Sequence, residues 1–154
     1  MLTAKDIMTR EVICVPPELP VGELAALLLR HKIGGAPVVD EEGRLLGVVT
    51  ESDLIDQGKN VHIPTAVAIL DSFVFLESPG RMEQEIRKMA GRTAGEICAR
   101  KPVTVEEGAG LADIATIMSE RKVHTLPVLS AGRLVGVIGK TDLVRAISSL
   151  SQAK

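Results

Sequence analysis

Apolar positions along the chain keep two different periods, and they do so twice. Val21, Leu24, Ala25, Leu28 and Leu29 recur at the spacing of one helix face, and Leu111, Ile114, Ala115 and Met118 recur in the same way further on. The period then shortens. Ala36-Pro37-Val38-Val39 and Leu126-Pro127-Val128-Leu129 are short apolar runs, each followed by a Gly-containing turn and a second run, Leu45 to Val49 or Leu134 to Ile138. Each set predicts a hairpin. Pro37 and Pro127 have no amide proton to give a ladder, so each is expected at a strand start or a sheet edge. Short β-rich runs, Val12 to Val15 and Val103 to Val105, precede the helices, and a second helix is expected from Ser52-Asp53-Leu54 and from Thr141-Asp142-Leu143.

These patterns are one internal repeat. An offset of 90 places Ile7 on Ile97, Arg10 on Arg100, Val15 on Val105, Ala25 on Ala115, Lys32 on Lys122, Pro37 on Pro127 and Val38 on Val128. A one-residue deletion in the turn makes the offset 89, and GRLLGVVTESDL at 43–54 then matches GRLVGVIGKTDL at 132–143. Each unit reads as β-α-β-β-α in about 55 residues, which is short for an independent core, so the two copies are expected to pack together in an α/β (α+β) fold. The expected division is 1–57, an insertion over 58–92, and 93–154. In the insertion, Ser78 and Pro79 are suited to start a helix whose Met82, Ile86 and Met89 make one apolar stripe, expected to pack on the core. Phe73 and Phe75 make it the place to look for an interface anchor.

Composition narrows the function classes. A length of 154 residues is too short for a barrel enzyme of roughly 250. Apolar residues at 45% and charged residues at 25% allow a real core. Aromatics at 1% leave no stacking platform for single-stranded nucleic acid, and a net charge of −2 from scattered residues gives no attraction to nucleic acid or an anionic membrane. The longest apolar run, Leu24 to Leu29, is far below the roughly 20 residues of a membrane span. Cys14 and Cys98 lack CxxC spacing and the start MLTAKDIMTR has no signal-peptide core, so a cytoplasmic protein with reduced thiols is expected.

Chemistry concentrates in Gly47-Val48-Val49-Thr50-Glu51-Ser52-Asp53, where an apolar strand ends and a helix starts. One reading is structural: Thr50 caps the helix and Asp53 reaches back. The other is functional, since free amides at a helix start attract phosphate and a carboxylate suits ribose hydroxyls. The GhhTxxD pattern (h apolar) after an h-Pro-h-h strand, repeated in register, resembles the cystathionine β-synthase (CBS) domain over 4–57 and 93–147, and the pair resembles a Bateman module. That resemblance implies a pseudo-symmetric pair, often a homodimer, that senses rather than transforms an adenosine-containing ligand: AMP, ADP, ATP or S-adenosylmethionine. It places Asp53 on the ribose and Thr50 on a phosphate. Ile13, Val15 and Ile33-Gly34-Gly35-Ala36-Pro37 would hold the adenine. Gly34 and Gly35 suit either a close approach to a base or a tight helix-to-strand turn. In the second copy the matching positions are Val105, Val123, His124 and Pro127, with Asp142 on the ribose. This copy departs from the pattern: Gly139 stands where Thr is expected, which leaves Lys140 to supply charge and Thr141 a displaced hydroxyl for a phosphate, or else a site that is empty or takes a ligand without phosphate, and His124-Thr125 replaces the glycines. The first site is therefore favoured.

Other motifs fail on spacing. Gly139-Lys140-Thr141 imitates the end of a P-loop, but its first glycine would fall at Leu134. His31, His62 and His124 have no metal-ligand spacing, and no catalytic nucleophile motif is present, so neither a metal nor catalysis is expected. With no output domain attached, a ligand sensor would regulate a separate protein in trans. The alternative is a structural, scaffolding homodimer with decayed ligand sites.

Overall fold

A computed structural model describes residues 1–58 and 92–152. The expected helix from Ser78, its Met82, Ile86 and Met89 stripe, Phe73, Phe75 and His62 lie outside the described residues. In chain order the elements are α1 (Ala4–Ile7), α2 (Val21–His31), β1 (Gly35–Val39), β2 (Leu45–Thr50), α3 (Glu51–Gly58), α4 (Ala94–Ile97), β3 (Val105–Glu106), α5 (Leu111–Glu120), β4 (Thr125–Ser130), β5 (Arg133–Gly139) and α6 (Lys140–Gln152). The mixed helix and strand architecture, two small sheets with helices, is the one the repeat predicts.

Helix α2 buries Val21, Leu24 and Leu28, as α5 buries Ile114 and Met118. Leu29, expected on the same face, is 79% exposed. It lies one residue past Leu28, about 100° round the helix, which carries it off the apolar stripe. Both helices lead into their hairpins through a lysine with positive φ, Lys32 at 54° and Lys122 at 53°. The left-handed residue of the helix-to-strand turn is therefore Lys32, not Gly34 or Gly35.

The hairpins form as expected, with Gly35 opposite Thr50 and Thr125 opposite Gly139 at their open ends. Asp40 closes the first turn by accepting from the amides of Glu42 and Arg44 at 2.9 and 2.8 Å. Consecutive positive φ at Ala131 and Gly132 close the second. Pro37 and Pro127 lie third in β1 and β4, both buried; β1 is an edge of its two-stranded sheet, as expected, whereas β4 is the central strand of its three-stranded sheet and Pro127 departs from the expectation. Their missing N–H is tolerated because their partners Val48 and Val137 direct their own amides away from the pair, to the carbonyls of Ala99 and Thr9 at 3.2 and 3.0 Å. The leading β-runs are also shorter than expected. Val105–Glu106 pairs in parallel with β4, and the Glu107 amide extends the pairing to the Leu129 carbonyl at 3.0 Å; the first copy keeps only a Val15–Val38 bridge, because Pro17, in the place of Glu107, has no amide to extend the ladder.

Each repeat sends its leading helix into the other repeat's core. Ala4 and Met8 pack with Val105, Ile114, Met118, Leu126, Val128 and Ile138. Ala94 and Ile97 pack with Val15, Val21, Leu24, Leu28, Ala36, Val38 and Val49. Backbone bonds repeat the exchange symmetrically: the Ala4 amide donates to the Ala109 carbonyl and the Ala94 amide to the Leu19 carbonyl, both at 2.8 Å. Beyond each helix the chain adds to a sheet edge, Thr9 against Val137 and Ala99 against Val48. The two copies therefore do pack together, through traded segments as well as touching faces.

Candidate functional site

The start of α3 is built by its own side chains. The Thr50 amide donates to Asp53 Oδ2 at 2.8 Å, the Thr50 hydroxyl donates to the same oxygen at 3.1 Å, and the Asp53 amide donates to Thr50 Oγ1 at 3.3 Å. That is the reciprocal cap expected from T-x-x-D, and it fixes the carboxylate against the helix start. Thr50 and Asp53 are half-buried. Asp53 Oδ1 has no partner among the described residues.

Hairpin register brings Gly34 and Gly35 to the same corner. The Glu51 amide donates to the Gly34 carbonyl at 2.9 Å, so the segment leaving α2 runs beside the start of α3. A Cβ on Gly34 would meet nothing within 4 Å among the described residues. A Cβ on Gly35 would fall 2.6 Å from Thr125 Oγ1 and 3.0 Å from the Val49 carbonyl oxygen. The lack of a side chain at Gly35 thus lets the second repeat approach. Ile33, next to Gly34, and Ile13 are half-buried, whereas Val15, Ala36 and Pro37 are buried. Val15 is held there by its amide, which donates to the Pro37 carbonyl at 3.0 Å.

The matching corner of the second repeat is wired differently. The Gly139 amide donates to Asp142 Oδ2 at 2.8 Å, keeping half of the cap without the hydroxyl. A hydroxyl arrives from elsewhere: Thr9 Oγ1 lies 3.1 Å from Asp142 Oδ1 and 3.3 Å from Oδ2. Arg145 Nη1 adds an ion pair to Oδ1 at 3.3 Å, and the Asp142 side chain is 11% exposed. Lys140, Thr141 and His124 are exposed, Val123 is half-buried, and Val105 and Pro127 are buried. Sequence reasoning missed Thr9. The signal was present in the alignment, where the offset of 90 places Thr9 on Ala99 and so gives the two carboxylates different neighbours.

Around the first corner, burial pushes the Cys98 thiol above its ordinary value of 9.0; Arg100 pulls it down and the Asp53 carboxylate pushes it up. The exchanged helix α4 thus ends within the electrostatic reach of Asp53. Among the described residues no His, Cys, Asp and Glu cluster can hold a metal ion, and no helix is long and apolar enough to cross a membrane.

Known proteins are similar to this chain in sequence and fold. The CBS domain family pattern matches residues 4–59 and again 94–149. CBS domain-containing protein CBSX1, chloroplastic, from Arabidopsis thaliana is 30% identical over 162 residues, which cover 98% of this chain. This chain spans 66% of the length of that plant relative. Hypoxic response protein 1 from Mycobacterium tuberculosis is 27% identical, covering 94% of this chain and 85% of its own length. Among solved structures, CBSX2 in complex with AMP superposes with a TM-score of 0.73 at 27% identity, covering 98% of this chain and 99% of that one. Two matched repeats, each completed by the other's leading helix and each carrying its carboxylate at a helix start, make the chain a member of the CBS domain family, a tandem pair of the Bateman type.

Proposed function

We propose that this pair is a regulatory module that binds an adenosine-containing ligand at the Thr50–Asp53 corner and transmits occupancy to a separate protein. One observation carries the reading: Asp53 is held by its cap through a single oxygen, leaving Oδ1 without a partner among the described residues at the helix start, where the Glu51 amide also ties down the Gly34 carbonyl. A vicinal pair of ribose hydroxyls suits such a carboxylate. The phosphate would sit at the start of the eight-residue α3, where the Thr50 hydroxyl exchanges its bond to Asp53 for one to a phosphate oxygen. The adenine would lie between Ile13, Ile33 and the backbone of 34–37. The AMP complex of CBSX2 supports AMP as the first candidate, with ADP, ATP and S-adenosylmethionine behind it.

The output is read at a homodimer. Val144, Ile147 and Leu150 are 59%, 53% and 50% exposed along one side of α6, and Ile55 on α3 is 69% exposed. An apolar stripe at this spacing suits a second copy. Because α3 starts at the ligand corner and carries Ile55, ligand binding and dimer geometry share an element. The coupling is limited to the ligand's difference in affinity between two dimer states. In this reading the module senses and does not catalyse, in the cytoplasm.

The test is a melting curve with AMP, ADP, ATP or S-adenosylmethionine, with GTP as control. Ligand at about 100 times Kd adds roughly 2.7 kcal/mol, or about 5 to 11 °C for a chain of this size. A rise with one adenosine ligand and none with GTP is expected. No rise with any of them would overturn the sensor and favour a scaffolding homodimer, the reading that the filled coordination of Asp142 supports.

A further inference from the structure

We propose that Thr9 is an internal lock on the second site, standing in for the hydroxyl that Gly139 lacks and making the pair a one-site module. The inference rests on the adenosine reading of the Asp53 corner and extends it to the other repeat. A carboxylate has about four acceptor positions. Asp142 already takes the Gly139 amide, the Thr9 hydroxyl spread over both oxygens, and Arg145. Asp53 takes only the Thr50 amide and hydroxyl, both on Oδ2.

The difference follows from the exchange of leading helices. Each repeat's chain, after its leading helix, runs along the far edge of the other hairpin: Thr9 bridges Val137 and Ala99 bridges Val48. The residue at that place therefore stands over the other repeat's carboxylate. In one case it is threonine, in the other alanine. Room alone does not close the second site, because a Cβ on Gly139 would still clear Asp142 Oδ2 by 3.7 Å and the His124 carbonyl oxygen by 3.9 Å. The closing group is the hydroxyl. A ribose reaching Asp142 must displace Thr9, which leaves that hydroxyl to find water instead, whereas a ribose reaching Asp53 displaces nothing from Oδ1.

Thr9 and Ala99 are both exposed, so exchanging their chemistry leaves the cores intact. The experiment is calorimetric titration of AMP into the full chain, comparing wild type, Thr9→Val and Ala99→Thr. Wild type is expected to take one equivalent per chain. Thr9→Val is expected to raise this toward two, and Ala99→Thr to weaken the first site on the order of tenfold. Two equivalents in wild type, or one equivalent with unchanged affinity in Thr9→Val, would overturn the lock. A second measurement separates the lock from the adenosine reading: urea unfolding of ligand-free Thr9→Val, Asp142→Asn and the double variant. A coupling of about fivefold in the unfolding constant is expected, and additive losses overturn the lock whatever AMP does. If no variant binds AMP, ADP, ATP or S-adenosylmethionine, the adenosine reading fails and the coupling alone decides the lock.

Discussion

Gly47 and Gly136 occupy equivalent places in the two repeats, and the traded segments make them unequal. A Cβ on Gly47 would collide with the carbonyl oxygen of Ala99 and come 2.8 Å from Cys98 Sγ; a Cβ on Gly136 would collide with Met8 Sδ and come 2.7 Å from Met8 Cγ. The first obstacle is backbone, held by two bonds: the Val48 amide to the Ala99 carbonyl at 3.2 Å and the Ala99 amide to the Val48 carbonyl at 3.0 Å. The second is an unbranched side chain that can change rotamer, with only its Cβ, at 3.1 Å, tied to the backbone. Overpacking costs about 1 to 3 kcal/mol, and each strained backbone bond adds about 1 kcal/mol when lost. Gly47→Ala is therefore expected near the top of that range, about 3 kcal/mol, and Gly136→Ala near the bottom, about 1 kcal/mol. At about 2 to 4 °C per kcal/mol for a chain this long, the melting temperatures should differ by about 4 °C or more. Circular dichroism melts of the two variants read this directly. Equal losses, or a larger loss for Gly136→Ala, would refute the argument that the Ala99 backbone is the rigid wall.

Three further outcomes are expected. Leu24→Ala should cost about 2 to 5 kcal/mol by chemical denaturation, because Leu24 is fully buried, while Leu29→Ala at 79% exposure should stay within about 0.5 kcal/mol. Thr50→Ala should lose about 1 kcal/mol of stability, since the Asp53 amide loses its acceptor; an unchanged urea midpoint would mean the cap does not hold in solution. Burial raises the Cys14 and Cys98 thiols above 9.0, so folding favours their neutral form. That contribution is complete below the unfolded value and is lost as pH climbs through the higher folded value, so the melting temperature should fall above about pH 9. Replacing both cysteines by alanine should flatten that decline.

Much of the fold was legible because it is local and written twice. The hairpins, the apolar faces of α2 and α5 and the T-x-x-D cap all follow from spacing within a dozen or so residues. What escaped the sequence depends on the rest of the chain. A four-residue helix such as α1 carries too short a pattern to say which core receives Ala4, and the exchange became visible only in the packing. Lys32 in the left-handed region is a choice no propensity favours, which is why the nearby glycines drew the turn assignment. Pro37 sits within its strand because Val48 directs its amide to Ala99, a partner about fifty residues away. At the candidate site, Thr50 and Asp53 were readable as a pair, while Thr9 on Asp142 spans the length of the chain and had no local signature.

The traded leading helices also bear on how such a chain could have arisen. A lone repeat would hold a core with an empty slot and a short helix with nowhere of its own to bury Ala4 and Met8 or Ala94 and Ile97. Two copies of one short gene product would satisfy each other by reciprocal domain swapping. Duplication and fusion would then turn an association that dilution can reverse into a permanent embrace within one polypeptide. The same topology means that a chain nicked between residues 58 and 92 has its halves clasped by each other's plugs, and that the two fragments, made separately, should assemble on mixing.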